Sequence, residues 1–378
     1  MLFRSTAEDE KVYEHLWRRL GLSVDWGQQY ETINQHSTRT SQRSFLELVE
    51  KGWVYQQTSP TMWDVDFKTA VAQAELEDRE KPGFFYDLTF ETLSGETFII
   101  ATTRPELLPA CIAVVAHPDD ERYQSYFGSY AKTPLFGAKV PILSSTHADP
   151  EKGSGILMIC TFGDVADVDW WKQSDLPIKQ VMGPEGRFLP VDFTKAPFTS
   201  EDPIKATDYY AQLEGLTVRK AHKQIVTLLQ EASVIKGAPK PIQHPVKFFE
   251  KGDTPIEFIS TRQWFINIMD HQKTLIAQGD KIKWVPSYMK SRYQNWVEGL
   301  NQDWCISRQR FFGVPFPVWY PVLDSGQVDY EHPIYASLAQ LPVDPSTDVP
   351  EGYEEAQRGQ AGGFVGDPDV MDTWATSS

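Results

Sequence analysis

The chain has 378 residues, 41% of them hydrophobic and 13% aromatic, which allows two or three domains with a sizeable core. A formal net charge of −16 argues against broad, nonspecific binding to a phosphate backbone. No run approaches the ~18 uninterrupted apolar residues that a membrane span needs, so no membrane partner is expected.

The residues up to Leu20 read as helix and lack the apolar core and cleavage site of a signal peptide, which by default gives a cytoplasmic address. A helix is predicted over 6–20. Ser5 and Thr6 would start it, Glu8, Asp9 and Glu10 fill its first turn, and Val12, Leu16 and Leu20 recur at helical spacing before Gly21. A second is predicted over 42–51, with Gly52 as its C-terminal cap.

The texture changes at Lys81-Pro82-Gly83, after which strand-like runs cover 84–90, 97–102, 110–116, 139–143 and 155–160. Helices are predicted at 164–173, 204–214 and 219–231, and this β-rich region ends near the proline-studded stretch 237–245. Beyond it come a strand at 255–259, helices at 264–278 and 286–297, a short strand at 303–307 and a tight turn at 313–317. Residues 342–366 read as a loop or insertion. The simplest organisation has three segments, 1–80, 81–245 and 246–378, with the middle one inserted into a domain formed by the other two.

Cysteines stand at 111, 160 and 305 with no CxxC pair, and the eight histidines show no HxxxH or HExxH spacing. Neither a disulfide framework nor a protein-bound metal is expected. The basic stretches at Arg219, Lys220 and Lys223 and over 281–290 read as solvated helix faces that leave local RNA contact open.

Four motifs carry candidate chemistry. Ala101-Thr102-Thr103-Arg104-Pro105-Glu106 leaves hydroxyls and a guanidinium at a strand exit, able to grip a ribose or phosphate, or else simply makes a turn. Thr161-Phe162-Gly163-Asp164-Val165-Ala166-Asp167 places two carboxylates in one helical turn, as helix caps or as receivers of a substrate cation. Asp303 to Pro315 reads as a strand ending in Ser-Arg-Gln, either at the ligand-binding edge of a parallel sheet or as a buried strand with a basic exit. Asp369 and Trp374, in Gly366 to Trp374, could line a small-molecule pocket or a simple turn.

In their order and spacing these stretches resemble the valine-, isoleucine- and leucine-specific class I aminoacyl-tRNA synthetases. The resemblance runs from Gly21-Leu22-Ser23-Val24-Asp25-Trp26 to Trp374. ATTRPE at 101–106 and DVMDTWATSS at 369–378 are of the valyl type, whereas WCISRQR at 304–310 is shared with isoleucyl enzymes. The resemblance implies an α/β fold, with a β-rich editing domain inserted into a Rossmann-type catalytic domain that is incomplete in this chain.

It further implies hydrolysis of threonine mischarged on tRNA(Val), as ester or as adenylate, in a pocket that needs no cofactor. Thr102, Thr103 and Arg104 would meet the terminal adenosine and the ester. Asp164 would pair with the α-ammonium, and Asp167 would help position the threonine hydroxyl or the attacking water. Asp369 and Trp374 would line the synthetic site. Leu107, Met158, Cys160 and Gly163 depart from the family pattern, standing where many valyl enzymes carry Thr, Lys, Thr and His. No HIGH-type or KMSKS-type motif occurs, so ATP with Mg, and valine, are expected to serve the full-length ligase and not this chain alone. The rival readings are a noncatalytic tRNA-binding module and the equivalent piece of an isoleucyl enzyme.

Overall fold

A computed structural model of the chain describes residues 2–146, 148–161, 163, 176–300 and 302–377. The fold is mixed α/β and divides into two compact units, one of Met1–Ser44, Gly313–Asp367 and Thr373–Ser378, the other of Phe45–Phe312 and Pro368–Asp372. No described helix is long and apolar enough to cross a membrane.

The first unit opens with α1 (Leu2–Arg19). It begins earlier than predicted, so positions 5 and 6 fall inside the helix and not at its start. Its end follows the sequence signal. Gly21 takes φ +76°, and the N–H groups of Gly21 and Leu22 bond back to Arg18 and Trp17, closing the last carbonyls in a left-handed cap. Helix α2 (Gln35–Glu50) also starts earlier than predicted, because the Asn34 side chain accepts from the Ser37 N–H at 2.8 Å and caps it there. It ends at Gly52 (φ +70°) by the same device as α1.

In this unit Gln42 is fully buried. Its amide donates to the carbonyls of Pro315 and Val343 and accepts from the Val343 N–H, so α2 is pinned to the 313–343 stretch by three polar contacts. The 342–366 stretch contributes Phe364–Gly366 to a small sheet with Val318–Pro321 and Ile334–Tyr335.

In the second unit β1 (Val54–Asp64), β2 (Thr69–Ala70), β3 (Leu76–Thr92), β4 (Thr97–Thr102), β5 (Cys111–Ala116), β6 (Tyr130–Lys132), β7 (Lys139–Ser144) and β8 (Ile156–Cys160) come in succession. They are followed by helices α3 (Pro203–Tyr210) and α4 (Val218–Glu231), then by β9 (Lys240–Phe249) and β10 (Glu257–Ile266). Strand β1 pairs with β10 along ten rungs, and β3 pairs with β9 along ten more. A seven-stranded sheet runs β4-β3-β6-β7-β5-β8, with β9 on β3. Helix α4 lays Ala221, Ile225, Leu228 and Leu229, one amphipathic stripe, into the core that also holds Leu88, Ile100 and Val114.

Several expectations need correction here. The texture change at 81–83 falls inside β3, and the proline-studded stretch thought to end the β-rich region is strand β9. Glu80 stands opposite Pro245 in that one ladder. Three prolines fit because Pro82 pairs with Gln243, Pro241 with Phe84 and Pro245 with Glu80, which are alternate rungs of equal parity. All three therefore sit where no N–H need face the partner strand.

Strand β1 was not foreseen, since VYQQTSP is too polar to read as a strand, and only pairing with β10 makes it one. The helix expected over 264–278 loses its start to β10, where Trp264 is buried opposite Gln56, and survives as Gln272–Gly279. The helix expected at 164–173 lies outside the described residues.

Candidate functional site

Strand β4 ends at Thr102, and the chain turns at Thr103-Arg104 into a 3-10 turn over Pro105–Ala110. The Thr102 hydroxyl accepts the Arg104 N–H at 3.1 Å and holds that turn. Arg104 spreads its guanidinium over three partners. Nε donates to Glu106 at 2.9 Å, Nη1 to the Gly163 carbonyl at 3.1 Å, and Nη2 to Glu257 at 2.7 Å. Glu106 also receives His222 of α4 at 2.7 Å, and the far ring nitrogen of His222 meets the Tyr86 hydroxyl at 3.4 Å. Five side chains thus form a line from α4, through the exit of β4, to β10.

The electrostatics are asymmetric. Burial alone would raise the Glu106 carboxyl, but the His222 hydrogen bond and the Arg104 charge outweigh it and hold it below the usual carboxylate range. At Glu257 burial outweighs the Arg104 charge and hydrogen bond, and with the Glu106 charge it pushes the carboxyl up. Burial opposes the Arg104 charge, yet its two carboxylates lift its pKa above the ordinary arginine value. The Arg104 side chain keeps 26% of its surface exposed, against 3% and 6% for the two acids.

Behind this turn lies Lys179, buried, donating from Nζ to the Cys111 carbonyl at 2.9 Å, while its N–H bonds the Thr161 hydroxyl at 3.0 Å. Burial lowers the pKa of this amine. The expected pocket acids Asp164 and Asp167 lie outside the described residues, although Gly163, just before them, is placed by Arg104.

A second polar cluster in the same unit centres on Arg308, 1% exposed, in the short strand Ser307–Arg308 that pairs with Val370–Met371. Its Nη2 donates to Asp372 at 2.7 Å and Glu75 at 3.2 Å, and its Nη1 to the carbonyls of Cys305 and Ser307. Gln309 donates to Asp369 at 2.9 Å and accepts the Ala70 N–H. Asp369 is therefore held by the WCISRQR motif. Trp374 belongs to the other unit, with 64% of its surface exposed.

The sequence reading assigned no role to Glu257, His222, Lys179 or Glu75. The only signals were lone charges in otherwise apolar or amphipathic runs, which do not reveal their partners. Among the described residues, no group of three or more His, Cys, Asp or Glu is arranged to hold a metal ion.

A clamped Thr-Thr-Arg turn at one sheet edge and a buried Ser-Arg-Gln strand tied to an Asp-rich strand occur here in one chain. Residues 4–378 match the family profile described as tRNA synthetases class I (I, L, M and V), and the chain belongs to that family.

Within the family, the chain is 54% identical over 379 residues to the valine–tRNA ligase of Thermobifida fusca (strain YX), covering 99% of this chain and 42% of that protein. Against the valine–tRNA ligase of Salinispora tropica it is 54% identical over 377 residues, covering 99% and 43%. The chain thus spans less than half the length of these relatives. A solved LeuRS–tRNA–LeuAMS complex from Agrobacterium radiobacter K84 matches at 17% identity and TM-score 0.32, over 96% of this chain and 46% of that one, too low to bear on the fold.

Proposed function

We propose that this chain is the part of a valine–tRNA ligase that hydrolyses threonine mischarged on tRNA(Val). The observation that carries the reading is 54% identity to valine–tRNA ligases across 99% of the chain. Valine and threonine are near-isosteric, so a pocket shaped for one rejects the other weakly, and valyl enzymes are the standard case in which a second, hydrolytic site removes the error.

In this reading the region 81–245 is the inserted editing domain. The β3–β9 ladder, in which outgoing and returning chain pair rung by rung, supports it. The Rossmann-type catalytic domain is the remainder. Thr102, Thr103 and Arg104 meet the terminal adenosine and the ester. Arg104 has three of its N–H groups committed to protein, so it serves as a fixed cation and not as a swinging clamp. Asp164 anchors the α-ammonium by a charge-assisted bond, and Asp167 positions the threonine hydroxyl or the water. Donors for the developing oxyanion come from backbone N–H groups near this turn.

Valine, ATP with Mg, the synthetic-site roles of Asp369 and Trp374, and a cytoplasmic address belong in this proposal to the whole protein. The test is deacylation of threonyl-tRNA(Val) by the chain and by Asp164→Ala. The expected result is hydrolysis that falls at least about a hundredfold in the variant. Binding of tRNA without hydrolysis by either form would leave a noncatalytic tRNA-binding module instead.

A further inference from the structure

Cys111 opens β5 and Cys160 closes β8, and the two are direct partners in the antiparallel ladder. The Thr161 N–H bonds the Ala110 carbonyl at 3.1 Å, on the far side of this pair, which makes it a non-hydrogen-bonded rung. On such rungs Cα atoms lie about 4.5 Å apart and side chains approach most closely, inside the roughly 4.4–6.8 Å that disulfides span. Both side chains lie on one face of the sheet, since Cys111 and Cys160 share the larger core cluster while Ile112 and Ile159 pack on the opposite face.

Both cysteines are buried, and neither is in a disulfide. The Lys179 amine is buried at this rung, with its Nζ donating to the Cys111 carbonyl at 2.9 Å. Burial lowers the pKa of that amine, so it can take the proton of an attacking thiol and leave the thiolate, which is the reactive form. The pair occupies the last rung of its ladder, beside a register shift between Cys111 and Ala113 that makes the strand locally irregular.

We propose that Cys111 and Cys160 form an oxidant-responsive site, closing a reversible cross-strand disulfide promoted by Lys179. With a peroxide, one thiolate attacks the O–O bond, giving a sulfenic acid and releasing the first water. The second thiol displaces the sulfenic oxygen, forming the S–S bond and releasing the second water. Two thiols are oxidised and one peroxide is reduced.

The cross-link fastens the rung at which the 3-10 turn after Arg104 joins β5 and at which β8 ends. Oxidation therefore restrains the candidate pocket. That functional effect rests on the editing reading; the cross-link itself does not.

The chain is treated with hydrogen peroxide, alkylated under denaturing conditions and digested without reductant for mass spectrometry. The expected result is a linked Cys111–Cys160 peptide, alkylatable thiols falling from the three in the sequence to one, and recovery with dithiothreitol. The same link forms in Cys305→Ser, and Lys179→Met forms it more slowly. Cys111 and Cys160 both remaining alkylatable, either one linking to Cys305, or unlinked sulfinic acid would overturn the site, and an unchanged rate in Lys179→Met would remove the amine from it. Deacylation by the reduced chain that is unaltered by a proven cross-link would overturn only the coupling to the pocket. A reduced chain without deacylase activity that still cross-links would count against editing and leave the disulfide standing.

Discussion

Two arginines in one unit each hold two carboxylates, and they differ in how much water they see. Arg308 and Asp372 are each 1% exposed and Glu75 8%, and the Arg308 Nε has no hydrogen-bond partner among the described residues. Arg104 keeps 26% of its side chain at the surface, and its Nε is used. A charge sealed with imperfect pairing contributes to stability chiefly through what its loss would strand. A charge at a rim can also meet a ligand. Arg308 therefore reads as the bolt joining the 304–310 and 369–372 strands to the turn at Glu75. Arg104 is the one whose guanidinium side chain water reaches.

The strongest challenge to this contrast is Arg308→Met. It leaves Asp372 and Glu75 buried without their main cation and should cost about 3–5 kcal/mol, read as a lower midpoint in urea unfolding. Arg104→Met should cost less, about 2 kcal/mol, because Glu106 keeps His222 and water reaches the vacated rim. Equal losses in the two variants would erase the distinction.

Glu257→Gln is smaller still, within about 1 kcal/mol near neutrality, and its signature is in pH. A carboxyl raised in the folded state contributes stability below its ordinary value of 4.5 and loses it as pH rises through the folded value. The wild type should weaken over that window relative to the variant. Glu106 runs the other way: its stabilisation is present above 4.5 and is lost as pH falls through its lowered folded value, so Glu106→Gln should flatten the acid limb. Unfolding curves across the acidic range that were parallel for all three proteins would rule out the split between the two acids. As the baseline, Lys68→Ala removes an ion pair to Glu185 in which both side chains are more than half exposed, and it should leave the melting temperature unchanged.

How much of this was legible beforehand depended on the range of the interaction. The glycine ends of α1 and α2 and the position of β4 followed from local signals, because capping and period-two burial are decided within a few residues. The Thr-Thr-Arg-Pro turn was legible as a motif, but its partners were not: Glu257 is 153 residues away and His222 is 116 residues from Glu106. Strand β9 was hidden by its prolines, which only the parity of its ladder with β3 makes harmless.

Contiguous residue types were enough for the family, the order of the motifs and the glycine ends of α1 and α2. The tertiary structure alone decided that β1 is a strand and that Arg104 is shared between two acids of opposite tendency. It also decided that the Thr-Thr-Arg turn is held by Glu106, Gly163 and Glu257. Those outcomes depend on desolvation and on pairing across a hundred residues or more, and neither leaves a local mark in the chain.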